Sequence, residues 1–483
     1  MRQRHAALIR TATLCAAAAM PALAADGLDT SWNGTGTVMM SVPGHNLGNS
    51  SYIGAVATLV QPDGRIVLAG KCTAADKVTI CMARLQPNGL RDYSFGPGET
   101  GAFAFSEFPD YPVSTIYHGL IRQNDGRVVV SGVGAGAVPS DTTLYATATR
   151  LLANGTLDPA VPVQPVRFEF SHNATEAMSF ITATALQADG KLVVVGYTNR
   201  AGADPSNLDF AVARLRADLT LDPTFNGTGI RVAAFDLGGS NADYPAALAI
   251  QPDGKIVVAG YAMTGANGFD GAVLRLNADG TPDASFGNVG RVSFDFGNHG
   301  RDDMLTAVKV DGAGRIWLGG VYQWAGNDHD FLVGRLLANG ALDPGFCFGT
   351  GYTTVAFDLD QTTTRQMDDQ AMNLLLQSDG GIVLTGSASN GAADGKGYDF
   401  AAARLMPACS LDTTFGTNGK LHGRFANTAT YNVATDSAFG GSGIVLAGAA
   451  ASTYDPVNYN TTDGQFGAAM IRLDLIFTDG FER

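Results

Sequence analysis

The stretch Ala246-Ala247-Leu248-Ala249-Ile250-Gln251-Pro252-Asp253-Gly254-Lys255-Ile256-Val257-Val258-Ala259-Gly260 carries the reading of the fold. Two apolar runs flank a Pro-Asp-Gly turn. Asp-Gly signals a hairpin because both central positions of a tight turn favour positive φ. Neither run alternates polar with apolar residues, so each reads as a strand covered on both faces. Downstream, Ala272 to Leu276 supplies a third strand, Asn277 to Gly280 a second turn, and Arg291 to Phe296 a fourth strand. The four are lettered a to d below.

The ending of strand b, a small residue followed by glycine, recurs. It closes Ile66–Gly70, Val128–Gly132, Leu192–Gly196, Ile256–Gly260, Ile316–Gly320, Ile382–Gly386 and Ile444–Gly448. The closing glycines lie 60 to 66 residues apart, which makes seven repeats. Four-stranded sheets stacked radially would bury such strands, each blade lying between two others. The chain opens with a lone d segment, Leu28 to Trp32 through Thr37 to Met40, and its last repeat has a, b and c (Ala468 to Leu473) but no clear d. Pairing the spare strand with the incomplete repeat would remove the open edge between the ends. The expected fold is all-β: a seven-bladed β-propeller of four-stranded antiparallel blades, closed by pairing the N-terminal strand with the C-terminal blade. An open solenoid is the alternative.

Ala249 to Gly260, Asp209 to Leu215 and Leu221 to Gly229 resemble the bacterial delta-60 repeat, a β-propeller repeat family of unknown function. The resemblance covers essentially the whole chain after the leader. It implies the fold and export, and no activity. Repeats two and seven depart most: repeat two lacks the Phe-Gly after Asp158-Pro159, and repeat seven has Gly441-Ser442-Gly443 where others carry Asp-Gly-Lys.

Residues 1–24 read as a secretory signal peptide. Arg2, Arg4 and Arg10 precede the short apolar run Thr11 to Met20, and Ala22-Leu23-Ala24 is a cleavage site. Cys15 follows Leu14, which argues against a lipoprotein box. Removing the leader leaves 28 basic and 45 acidic residues, a net charge of −17 that repels nucleic acid and anionic lipid and tolerates cations or neutral ligands such as sugars. No later stretch suits a membrane helix. The expected location is periplasmic or extracellular, with residues 25–475 as the propeller. Residues 476–483 form a short C-terminal tail, read either as a sorting tag or as an extension of the last blade. Four cysteines follow the leader, and an even count in an exported chain favours disulfides. Cys72 and Cys81 flank one short loop and are the expected pair. Cys347 and Cys409 occupy comparable loops of neighbouring repeats and could bridge two blades.

Two polar residues recur in every repeat: arginine at 84, 150, 214, 275, 335, 404 and 472, and aspartate at 29, 92, 158, 222, 283, 343 and 412. A residue needed in every blade belongs to the scaffold, so these read as structural ion pairs, with Asp29 serving Arg472 through ring closure. Function should lie where repeats differ. The b–c loops and d–a connections vary and emerge on one side of a blade, the usual place for binding. There, Asp243, Asp303 and Asp369 each lie 17 residues before a closing glycine, at the start of strand a. Ringing a channel mouth, they could hold calcium, or each could cap its own turn. In repeat five, Trp324, Asp328 and His329 form a candidate ligand site where a sugar could stack, whereas Trp317 reads as core. No G-x-S-x-G elbow, H-E-x-x-H or phosphate loop occurs. The favoured function is a non-catalytic exported binding or scaffold protein for a glycan, peptide or cell-surface partner. The alternative is a propeller hydrolase or lyase, calcium-assisted through the acids.

Overall fold

The computed structural model describes residues 27–47, 57–74, 77–105, 116–135, 143–161, 166–170, 178–199, 206–265, 268–298, 300–325, 328–359, 368–390, 397–441, 443–455, 460–462 and 464–472. The segments expected to be a signal peptide (1–24) and a C-terminal tail (476–483) lie outside the described residues. The chain is all-β, in four-stranded antiparallel sheets arranged as propeller blades. No helix among the described residues is long and apolar enough to cross a membrane.

Repeat four sets the pattern. Strands Asp243–Ile250, Ile256–Met263, Phe269–Leu276 and Arg291–Phe294 pair in that order. Strands b and c run longer than the apolar cores that mark them, because polar and aromatic residues continue both toward the variable loops. The Asp-Gly turn also differs from the expected one. Gly254 has a positive φ of 84° and Asp253 does not. Asp253 instead accepts the Lys255 N–H through Oδ1 at 3.1 Å, so the turn is wider than a two-residue hairpin and needs one left-handed residue. Repeats one, two, three, five and six build equivalent sheets. In repeat seven, Tyr431–Gly440, Gly443–Ala451 and Gln465–Arg472 pair in series, and Thr37–Met40 adds antiparallel to the last, Thr37 opposite Ala469. One bridge, Tyr398 to Tyr431, runs the sheets of repeats six and seven into a single eight-stranded one. Strand a of each repeat packs on strand a of the next, and strand a of repeat seven packs on Ala57–Val60 of repeat one.

The signature glycine has a steric cause. Strand a carries a β-bulge opposite strand b, between Pro245 and Ala247 in repeat four and at the matching place in repeats two, three, five, six and seven. The bulge pushes a backbone carbonyl toward the closing glycine. A Cβ on Gly260 would lie 2.1 Å from the Tyr244 oxygen, and one on Gly320, Gly386 or Gly448 equally close to Met304, Gln370 or Val433. Only a residue without a side chain fits.

The recurrent arginine and aspartate are scaffold. Arg84, Arg150, Arg214, Arg275 and Arg335 donate through Nε to Asp92, Asp158, Asp222, Asp283 and Asp343 at 2.7–2.9 Å, and Arg404 pairs with Asp412. The guanidinium lies over a buried phenylalanine, 4.4 Å from Phe286 in repeat four. It also reaches the next repeat, as Arg214 Nη1 does to the Ala278 carbonyl at 2.7 Å. Repeat seven departs from expectation. Met470, not Arg472, holds the arginine's place, pairing with Val445 as Arg275 pairs with Val257. Asp29 does take the aspartate's place: its N–H donates to the Met470 carbonyl at 2.8 Å, as that of Asp283 does to Arg275.

Neighbouring repeats are tied at one recurring point. The N–H after the buried aromatic donates to the c–d turn of the next repeat: Gly96 to Asn154, Asn226 to Asp279 and Gly287 to Asn339, at 2.7–2.9 Å. Asn33 makes the same bond to Asn88 at 2.8 Å, with Trp32 against Gly89 as Phe225 lies against Gly280. Between repeats five and six a disulfide, Cys347–Cys409, stands at this point. Cys72–Cys81 links strands b and c of repeat one, pairing as expected.

Candidate functional site

The variable end of the sheets is where strand a begins and strand b ends. The first residue of strand a closes the preceding repeat. Asp243, Asp303 and Asp369 are buried, and each accepts one backbone N–H through Oδ2 at 2.6 Å, from Phe235, Phe296 and Phe357. Ser179 accepts the Phe170 N–H at 3.0 Å and Asn432 the Phe425 N–H at 3.1 Å in the same way. Five repeats therefore use one device, a side-chain oxygen that ends the previous outer strand. Serine and asparagine perform it without charge.

The three aspartates are brought to separate junctions, each beside a different second acid. Burial pushes Asp243 up to about 7, with Asp209 and Asp236 adding to the shift. Burial likewise carries Asp303 to about 8, near Asp295, Asp270 and Asp302, and Asp369 to about 7, near Asp330 and Asp358. Oδ1 of Asp243 and of Asp303 has no hydrogen-bond partner among the described residues. No group of three or more histidine, cysteine, aspartate or glutamate side chains suited to a metal occurs among the described residues.

The repeat-five candidates divide. Trp324 is 59% exposed, its ring 6.1 Å from Tyr322. His329 turns inward to the next junction, Nδ1 3.2 Å from Asp368 Oδ1. Burial disfavours a charged His329, but the Asp368 carboxylate outweighs it and raises the pKa above the ordinary value. Asp368 also accepts from Gln370 at 3.0 Å and from the Tyr398 hydroxyl at 2.7 Å. Burial and Asp358 raise the pKa of Asp328. Trp317 is core, as expected, its Nε1 donating to Asp311 at 2.9 Å.

A feature not anticipated lies in repeats three and four. Phe180 and Tyr197 stack 4.8 Å apart, Tyr197 meets Tyr244 at 5.5 Å, Tyr244 meets Tyr261 at 5.4 Å, and Tyr261 meets Phe269 at 5.1 Å. All five rings are half-buried. Phe180 and Tyr244 follow the capping residue on strand a, and Tyr197 and Tyr261 follow the closing glycine opposite them. The same two columns hold Met304 and Val321 in repeat five and Gln370 and Ser387 in repeat six. Aligning those columns would have revealed the row.

Four stretches, residues 61–95, 187–225, 251–286 and 377–415, match the model of a β-propeller domain of unknown function (DUF5122). The chain is thus similar to a β-propeller repeat family of unknown function. No curated protein matches it. Among solved structures, the polysaccharide lyase Uly1 aligns with a TM-score of 0.46 at 10% identity, covering 89% of this chain and 94% of that one. Sqt1 from Chaetomium thermophilum aligns at 0.43 and 11%, covering 90% and 100%. An endo-arabinase from Bacteroides thetaiotaomicron aligns at 0.33 and 10%, covering 57% and 92%. Likeness at this level says nothing of chemistry.

Proposed function

We propose that this is an exported, non-catalytic binding protein whose scaffold is a closed seven-bladed propeller spanning residues 25–475, of the delta-60 kind. Closure is supported by the strand Thr37–Met40 on repeat seven and by the Trp32 and Asn33 contacts with repeat one. Asp436 of repeat seven adds a clasp, accepting the Thr58 N–H of repeat one at 2.7 Å and Asn373 Nδ2 of repeat six at 2.6 Å. Export is supported by the leader-like residues 1–24 and by the two disulfides.

The observation that carries the binding role is the row Phe180, Tyr197, Tyr244, Tyr261 and Phe269 at the variable end. Rings held by neighbouring strands give a rigid platform at little entropic cost, and sugar faces pack on aromatic faces. A glycan is therefore the ligand class. Glycan-array screening followed by titration tests it. The Tyr197→Ala/Tyr244→Ala double variant should melt somewhat earlier but stay folded at 25 °C, and lose at least about tenfold in affinity for any glycan that binds, a loss of about 1.4 kcal/mol. Unchanged affinity would reject the platform. The competing reading, a calcium-assisted hydrolase or lyase, draws on the raised pKa values of Asp243, Asp303 and Asp369. Ser179 and Asn432, doing the same structural task, weigh against it.

A further inference from the structure

Repeat six meets the N-terminal segment along a cleft of about 830 Å³. Its origin lies in the first residue of strand d. In repeats four, five and six that residue reaches back across the junction. Arg291 donates to the Ala234 carbonyl, the Tyr352 ring packs 5.0 Å from Phe296, and Lys420 donates to the Ala356 carbonyl. In the strand that completes repeat seven the same place, opposite Ala469, holds Thr37. Threonine is too short to cross, so this junction stays open.

Its chemistry is also inverted. At the three preceding junctions a buried acid at the head of strand a meets a second acid: Asp243 with Asp209, Asp303 with the half-buried Asp270, and Asp369 with Asp330. Here Asn432 replaces the acid at the head of strand a and Asp399 is surrounded by bases. His422 Nδ1 lies 3.2 Å from Asp399 Oδ2, and Arg424 Nε donates to Oδ1 at 3.0 Å. Arg424 stands where the three preceding repeats have Ala234, Asp295 and Ala356 before the capped phenylalanine, and His422 where they have Val232, Ser293 and Thr354. Burial raises the pKa of Asp399, but bonds from His422, Asn390 and Arg424 overcome this and keep it a carboxylate. It anchors two side chains that remain 48% and 41% exposed. The Arg424 Nη atoms make no hydrogen bond among the described residues. With Lys420 and Arg424 against one Asp399, the cleft is cationic in a chain of net charge −14.

We propose that this cleft binds a carboxylate-bearing sugar. The carboxylate sits on Arg424 and His422, since a guanidinium edge matches it with paired hydrogen bonds. The ring lies between the Thr35 and Thr37 wall and the apolar side formed by Phe357. The volume is in the range that encloses a small ligand. The site is separate from the aromatic row and stands or falls independently of it.

Isothermal titration of the full-length protein with trigalacturonate, and with its neutral methyl ester, tests the proposal. Trigalacturonate should bind at one site and the ester should not. Arg424→Gln should weaken binding about tenfold or more. Thr37→Tyr, which gives repeat seven the uncharged bridging side chain of repeat five, should fill the cleft and abolish binding while the melt is kept. If Thr37→Tyr fails to fold, Arg424→Gln decides alone. No binding of trigalacturonate at millimolar concentration, equal binding of the ester, or an affinity unchanged by Arg424→Gln overturns the proposal.

Discussion

Asn432 shows what an aspartate at the head of strand a is for. An uncharged amide oxygen ends the previous outer strand as well as a carboxylate does. The carboxylate versions therefore carry a pH cost. A raised folded pKa means that stability is fully present below the unfolded value, near pH 4, and is lost as pH rises through about 7 to 8. Asp283 runs the other way: burial raises its pKa, but Ser285 and Arg275 overcome this and lower it, so its contribution is lost as pH falls below about 4. The melting midpoint should accordingly peak near pH 4–5 and decline toward pH 8. Asp303→Asn should leave stability at pH 5 nearly unchanged and raise it at pH 8 by about 1–3 kcal/mol, read from urea titrations at both values. A destabilised variant at pH 8 would mean that the folded state favours the charged carboxylate rather than disfavouring it. The position of these acids was legible in the sequence from their distance to the closing glycine. Their burial was not, because it depends on a backbone N–H from the preceding repeat.

The sheets of repeats two to six are each specified by a bulge, a glycine and an ion pair, and the sequence displays the last two. The glycine recurs visibly, whereas the bulge that requires it emerges only when strand a is seen to pair out of step. Gly260→Ala drives a Cβ into the Tyr244 carbonyl and should cost about 2–3 kcal/mol in denaturant unfolding. A loss below half a kcal/mol would show that the bulge can relax. Arg275→Ala removes the counter-charge of a nearly buried Asp283, and about 2–4 kcal/mol of stability should go with it. The misplaced arginine of repeat seven has an instructive cause. Residue type suggested Arg472, but pairing with strand b selects Met470, two residues earlier. Register is set by hydrogen bonds across strands and is invisible to spacing within one. The aromatic row escaped notice for a related reason: its rings come from five strands of two repeats.

At the scale of the whole molecule, two covalent links differ in reach. Cys347–Cys409 spans 62 residues and Cys72–Cys81 spans 9. By chain entropy the longer should contribute about 4 kcal/mol and the shorter about 2–3. Replacing each pair by serine and comparing the melts checks the order. Deleting residues 27–40 would strip repeat seven of its fourth strand and bare the edge of Gln465–Arg472. That variant should melt earlier and self-associate through the exposed edge, visible in sedimentation. The fold class was legible because seven copies repeat one pattern. The cleft was not, since it arises from one short side chain facing a different repeat. The pairing of Thr37–Met40 with Gln465–Arg472 also has a consequence in time. A ribosome releases the first of these strands long before the second exists. The nascent chain must therefore carry an unpaired strand through the synthesis of more than four hundred further residues, and this sheet can assemble only when Gln465–Arg472 has emerged.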